Sequence, residues 1–166
     1  MRKAQANFTQ NDVEHLKHCL ALAKEAFEAG DEPFGSILVN KNKQVIASAR
    51  NRVNEINNLA HPEIELAHWA AKNLSNEERS TTAMYTSGEH CPMCAAAHAW
   101  VGLGEIVYLS SAAQLGTWLA EVKAKPAPLN FIPAEKIIKN TSIRGPYEGE
   151  LLEEIKDLQI KYHKNN

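Results

Sequence analysis

The period of the apolar residues changes repeatedly along this chain, and that alternation restricts the folds open to it. Val13, Leu16, Leu20, Ala23 and Phe27 recur at spacings of three and four and make one apolar helical face. The spacing predicts a helix over about residues 11–29, with Asn11 and Glu14 as a capping box and Gly30 just past its end. Residues 34–39 and 45–53 then read as strands, joined into a hairpin by the polar turn Lys41-Asn42-Lys43. Pro62 opens a second helix that runs to about Leu74, because proline fits a first helical turn, and Ser75 with Glu78 caps a further short turn. Residues 83–87 are a short strand, Pro92 to about Leu103 a helix stopped by Gly104, residues 105–110 a strand, and residues 112–122 a weaker helix. Residues 125–133, with three prolines, read as a loop or lid. An edge strand within residues 137–143 and a last helix over about residues 147–163 complete the order. Helices and strands that alternate in this way predict an α/β chain, a three-layer α/β/α sandwich with a mixed central sheet.

No repeat, low-complexity tract or linker divides the 166 residues, so 1–166 are expected to form one domain, with 145–166 as a C-terminal helix. Charge limits the partners. With 18 basic and 20 acidic residues the net charge is −2, which argues against nucleic acid as the main partner. No apolar stretch follows Met1-Arg2-Lys3, and none reaches the ~18 to 20 residues that span a bilayer. The expectation is a soluble, cytoplasmic protein. Three cysteines without a secretion signal make no disulfide framework; two of them, Cys91 and Cys94, lie close enough to suggest metal or redox chemistry.

Cys91-Pro92-Met93-Cys94 stands at the start of one expected helix and His61-Pro62-Glu63 at the start of another. Residues three apart on a helix share a face, so two thiolates there can grip one ion, and the positive helix end favours thiolate over thiol. One imidazole from His61 would complete three protein ligands and leave a fourth tetrahedral position for water, the pattern of catalytic zinc. Glu63 beside such a water is a natural proton carrier. Other readings stay open at this level. Cys-x-x-Cys can be a redox pair or two packed cysteines, and His90 or His98 can supply the fourth ligand of a structural site.

His-x-Glu followed about thirty residues later by Cys-x-x-Cys resembles the zinc-dependent cytidine deaminase superfamily. Pro33-Phe34-Gly35-Ser36-Ile37-Leu38-Val39, Asn51-Arg52 ten residues before His61, and Met84-Tyr85-Thr86-Ser87-Gly88-Glu89 are similar to segments of its guanine deaminase and tRNA adenosine deaminase branch. The resemblance covers roughly residues 10 to 110. Two positions depart from it: Pro62 stands where the family usually has alanine, and His90 where it usually has proline.

The resemblance implies a cytidine deaminase-like fold and Zn2+ held by His61, Cys91 and Cys94. Water activated there attacks the amino-bearing carbon of a ring, Glu63 carries protons to a ring nitrogen and to the leaving amine, and ammonia departs. Asn51 would hydrogen-bond the base, Phe34 would pack on it, and Trp100 would line a purine-like pocket. The expected substrate is a nucleobase or nucleoside, guanine-like ahead of cytosine-like, and the expected assembly is a homodimer. Wobble adenosine in tRNA is the alternative substrate, and a non-catalytic zinc-stabilised interaction module the alternative to an enzyme.

Overall fold

The structure is a computed structural model that describes residues 7–166. The N-terminal segment on which the reading of a missing signal rests lies largely outside the described residues. Helix α1 (Gln10–Glu28) begins at Thr9, whose hydroxyl accepts the Asp12 N–H while the Asp12 carboxylate accepts the Thr9 N–H. The capping box is therefore Thr9 and Asp12, two residues before the expected Asn11 and Glu14. Asp12 is recruited by partners distant in sequence: Tyr85 donates to it at 2.6 Å and Arg144 at 3.0 Å and 3.1 Å.

Strands β1 (Gly35–Val39) and β2 (Val45–Arg50) form the expected antiparallel hairpin. Then come α2 (Pro62–Asn73), the short capped α3 (Asn76–Ser80), β3 (Ala83–Gly88), α4 (Pro92–Val101), β4 (Ile106–Ser110) and α5 (Ala112–Glu121). Gly102, in the left-handed region at φ 75°, ends α4, rather than the expected Gly104. Gly104 serves a close approach instead: a Cβ there would lie 2.7 Å from the Ser80 carbonyl oxygen. The edge strand expected within residues 137–143 is mostly absent. Residues Ala134–Ile137 make a short helix, α6, because Ala134 and Ile138 turn inward onto Ala95 and Ile106, and β5 is only Ile143–Arg144. Helix α7 (Glu150–Lys164) closes the chain.

The sheet order is β2-β1-β3-β4-β5; β1 is antiparallel to both neighbours, and β3, β4 and β5 run parallel. Successive strand residues point to opposite faces, and here both faces are covered. Ile37, Val39, Tyr85, Val107 and Leu109 join Leu16, Leu20 and Ala23 of α1, Trp118 of α5 and Ile155 of α7 in one core. Leu38 and Met84 face the other way, onto Leu66 and Ala70 of α2. The architecture is the expected three-layer α/β/α sandwich with a mixed sheet. No helix among the described residues is long and apolar enough to cross a membrane.

This topology places the start of β1, the end of β3 and the N-termini of the packed helices α2 and α4 at one end of the sheet. A groove of 640 Å³ lies at the opposite end, lined by Asn40, Lys41, Trp69, Glu77 and Thr82, and none of His61, Glu63, Cys91 and Cys94 lines it.

Candidate active site

His61 is the N-cap of α2 and Cys91 the N-cap of α4; each is followed by a proline at the first helical position. Neither side chain makes the N-cap hydrogen bond that would satisfy its own helix start. Helix packing brings the two ends together. His61 Nδ1 lies 3.6 Å from both Cys91 Sγ and Cys94 Sγ, and the three ligand atoms fall within 4.8 Å of one another. The hydrogen bond with Cys94, joined by His61, draws the Cys91 thiol down to about 4, whereas Cys94, the donor, is pushed up, as burial alone would also push it. His61 is raised to about 9, chiefly by its bond to Cys91. Two sulfurs and an imidazole that already share protons at this spacing are a donor set suited to zinc, which would displace those protons.

His90 and His98 stand outside the cluster. His98 Nε2 pairs with the Gly104 carbonyl at 2.8 Å, and the rings of His90 and His98 meet edge to face with centroids 5.1 Å apart. Burial lowers the pKa of both and keeps them neutral. A four-ligand structural site through either histidine therefore has no geometric support.

Glu63, on the first turn of α2, is 5% exposed. Its Oε1 is met by Thr86 Oγ1 at 2.9 Å and Ser36 Oγ at 3.1 Å, and these hydroxyls are 2.9 Å apart. Burial raises the Glu63 pKa, and the charge on His61 and the Thr86 hydrogen bond oppose the rise. A carboxylate with one oxygen fixed and a raised pKa is suited to proton transfer.

Asn51 is buried at the end of β2. Its Oδ1 accepts the Val53 N–H at 3.1 Å, a turn role, and its Nδ2 has no partner. The Asn51 N–H donates to the Phe34 carbonyl at 2.9 Å. The half-buried Phe34 ring lies over Gly88, where a Cβ would come within 2.9 Å of Phe34 Cε1. Trp100, expected at the pocket, is carried on α4 at 90% exposure and belongs to none of the buried core.

Residues that the motifs did not announce complete the site. Ser36 and Thr86 are direct partners across the β1–β3 pair, a relation that needs the strand register. Glu89 ties the cysteine loop to two helix starts: one carboxylate oxygen accepts the Ala112 N–H at 2.8 Å and the other the Ala134 N–H at 3.0 Å. The proline-rich segment before Ala134 is thereby held beside the site. Glu32, between α1 and β1, also belongs here: burial raises its pKa and the nearby His61 charge lowers it. An acidic residue beside proline in a turn carries no distinctive spacing.

Residues 10–141 match the MafB19-like deaminase family. The chain belongs to that family, within the cytidine/deoxycytidylate deaminase superfamily. It is 33% identical over 131 residues to a guanine deaminase of Bacillus subtilis, across 74% of this chain and 83% of that protein. It is 37% identical over 90 residues to a tRNA-specific adenosine deaminase of the same organism, across 54% of this chain and only 55% of that protein. The solved structure of a guanine deaminase from Nitrosomonas europaea has the same fold: the TM-score is 0.66 over 98% of this chain and 88% of that one, at 19% identity.

Proposed function

We propose that this member of the family is a zinc-dependent hydrolytic deaminase of a nucleobase or nucleoside, guanine-like ahead of cytosine-like. The observation that carries the reading is the buried Glu63 beside the His61, Cys91 and Cys94 cluster, with its Oε1 held by two hydroxyls. Those three residues would hold zinc, which supplies the Lewis acidity that makes water a nucleophile at neutral pH. Glu63 takes a proton from water, delivers it to the ring nitrogen beside the attacked carbon, and then carries a proton to the departing amine. Asn51 offers its unpartnered Nδ2 to an acceptor on the ring, and Phe34 packs against the ring face. Similarity to a guanine deaminase over most of both chains supports the substrate order.

A second copy completes the assembly. Helix α4 has no Asp, Glu, Lys or Arg, and its outer face carries Trp100 at 90% exposure. A helix without a charged face is ordinarily covered, which supports a homodimer through α4. The second substrate reading, wobble adenosine in tRNA, is favoured by the 37% match to the tRNA-acting relative. A net charge of −2 weighs against it.

An ammonia-release assay of the zinc-loaded protein on guanine, cytosine, cytidine and a wobble-adenosine tRNA, at about 50 and 200 mM salt, tests the reading. Conversion of a free base or nucleoside with little salt dependence is expected. Efficient, salt-sensitive conversion of the tRNA alone would establish the second reading. No ammonia from any of the four, with zinc fully bound, would remove the enzyme.

A further inference from the structure

The four residues between α1 and β1, Asp31-Glu32-Pro33-Phe34, form a turn pinned at three places. The Asp31 carboxylate accepts from Arg50 Nη1 at 3.1 Å and from the Asn54 N–H at 2.8 Å. Gln159 Nε2 donates to the Pro33 carbonyl at 2.9 Å. Phe34 accepts the Asn51 N–H at 2.9 Å and donates its own N–H to the Glu32 carbonyl at 2.8 Å. The backbone of Glu32 is thus held from α7, from β2 and from the loop after β2.

The Glu32 side chain alone in this turn has nothing to hold. It is half-buried, and no described residue gives its carboxylate a hydrogen bond or an ion pair. It borders the metal cluster closely enough that the charges of His61 and Cys91 act on it and its own charge acts on His61. It is not among the three grouped ligands. Asn51, whose N–H bonds the Phe34 carbonyl, has a buried, unpartnered Nδ2.

A carboxylate only accepts hydrogen bonds and an amide Nδ2 only donates. Asn51 Nδ2 is taken from water without a partner, which is costly, and the Glu32 carboxylate keeps its acceptor capacity free of protein partners, so a ligand that meets both is favoured. A ring with a carbonyl or ring nitrogen and a separate N–H does so. A free base has such an N–H at the position where a nucleoside carries its sugar.

We propose that Glu32 is a specificity residue, whose carboxylate accepts a ring N–H of a free purine base of guanine type and so selects the base over its nucleoside. The proposal rests on the reading of this end of the sheet as a deaminase pocket, and its failure can be told apart from the failure of that reading. Hypoxanthine and inosine are the binding probes, because neither carries the exocyclic amine that guanine and guanosine carry at the same ring. Calorimetry on the zinc-loaded protein should show hypoxanthine bound at least about tenfold more tightly than inosine, the range of a hydrogen bond to a charged group. Glu32→Gln, of the same size, should reduce that preference to within about threefold, with zinc content, melting temperature and inosine affinity unchanged. In turnover, the variant should raise KM for guanine about tenfold or more while kcat stays within about threefold. If Glu32→Gln keeps the full preference for hypoxanthine, or the wild type has none, the proposal falls even where deamination is intact. If the Glu32-dependent preference holds but no base releases ammonia, the deaminase reading falls and this one stands.

Discussion

Thr86 Oγ1 lies 2.9 Å from Glu63 Oε1, so a β3 hydroxyl sets the angle of a carboxylate that rises from α2. Thr86 also reaches the Gly88 carbonyl at 3.0 Å, and Ser36 stands beside it on β1. These contacts hold Oε1 alone and leave Oε2 with no hydrogen bond from either hydroxyl. The sheet therefore orients a group that the helix supplies.

Thr86→Val removes a hydrogen bond that lowers the Glu63 pKa. With that bond gone the pKa rises further. The carboxylate that accepts the proton is then populated only at higher pH, and the acid limb of kcat/KM should move upward in pH. Activity near neutrality should fall about tenfold, with zinc content unchanged. A pH–rate profile of the two proteins checks the direction; a limb that stays in place would show that Thr86 does not tune Glu63.

Glu63→Gln keeps the size of the side chain but cannot carry a proton. Turnover should fall by about 10² to 10⁴, with the fold and bound zinc preserved. Elemental analysis beside the kinetics decides whether the carboxylate shuttles protons or binds metal; loss of zinc in this variant would count as the second.

Cys91→Ser should lose most of the metal, because one of three grouped ligand atoms is replaced by a weaker donor. Melting with and without added chelator should show the wild type destabilised by chelation and the variant nearly indifferent to it. Full occupancy in the variant would reject the ligand set.

Asp12 tests the frame that carries the site. Burial alone would raise its pKa, but hydrogen bonds from Arg144, Tyr85 and Thr9 outweigh it and hold the carboxyl below its ordinary value. A depressed carboxyl contributes stability that is present above its unfolded pKa, about 3.9, and is lost as pH falls through the folded one. Asp12→Asn should cost about 2 kcal/mol in urea unfolding at pH 7, and the gap to the wild type should narrow at pH 3 and below. An unchanged gap across that range would mean that the charge of Asp12 adds nothing.

Trp100→Asp should convert a dimer into monomers by sedimentation while each copy keeps its zinc, since Trp100 belongs to no core. A dimer unaffected by this change would place the interface elsewhere.

The hairpin, the two proline-opened helices and the strands at residues 83–88 and 106–110 were legible in the sequence. Each is announced locally, by apolar period and by residues whose conformation is restricted. Asn11 misled because a cap is chosen by what else can bond it, and Asp12 had Tyr85 and Arg144 waiting. The strand expected within residues 137–143 failed for a similar reason: Ala134 and Ile138 were drawn down onto Ala95 and Ile106 before the chain reached the sheet edge. The distance of Trp100 from Cys94 along α4 does not say which side of the helix the rest of the chain covers, and in the folded chain Trp100 is 90% exposed.

By itself the sequence determined which side chains stand at helix starts. Proline at the first helical position marks such a start locally, and His61 and Cys91 each precede one. Only the tertiary structure decided that the two helix ends meet, that Ser36 and Thr86 face one oxygen of Glu63, and that Glu32 and Asn51 flank Phe34. Those relations depend on strand register and on hydrogen bonds between segments tens of residues apart, and no local propensity encodes them.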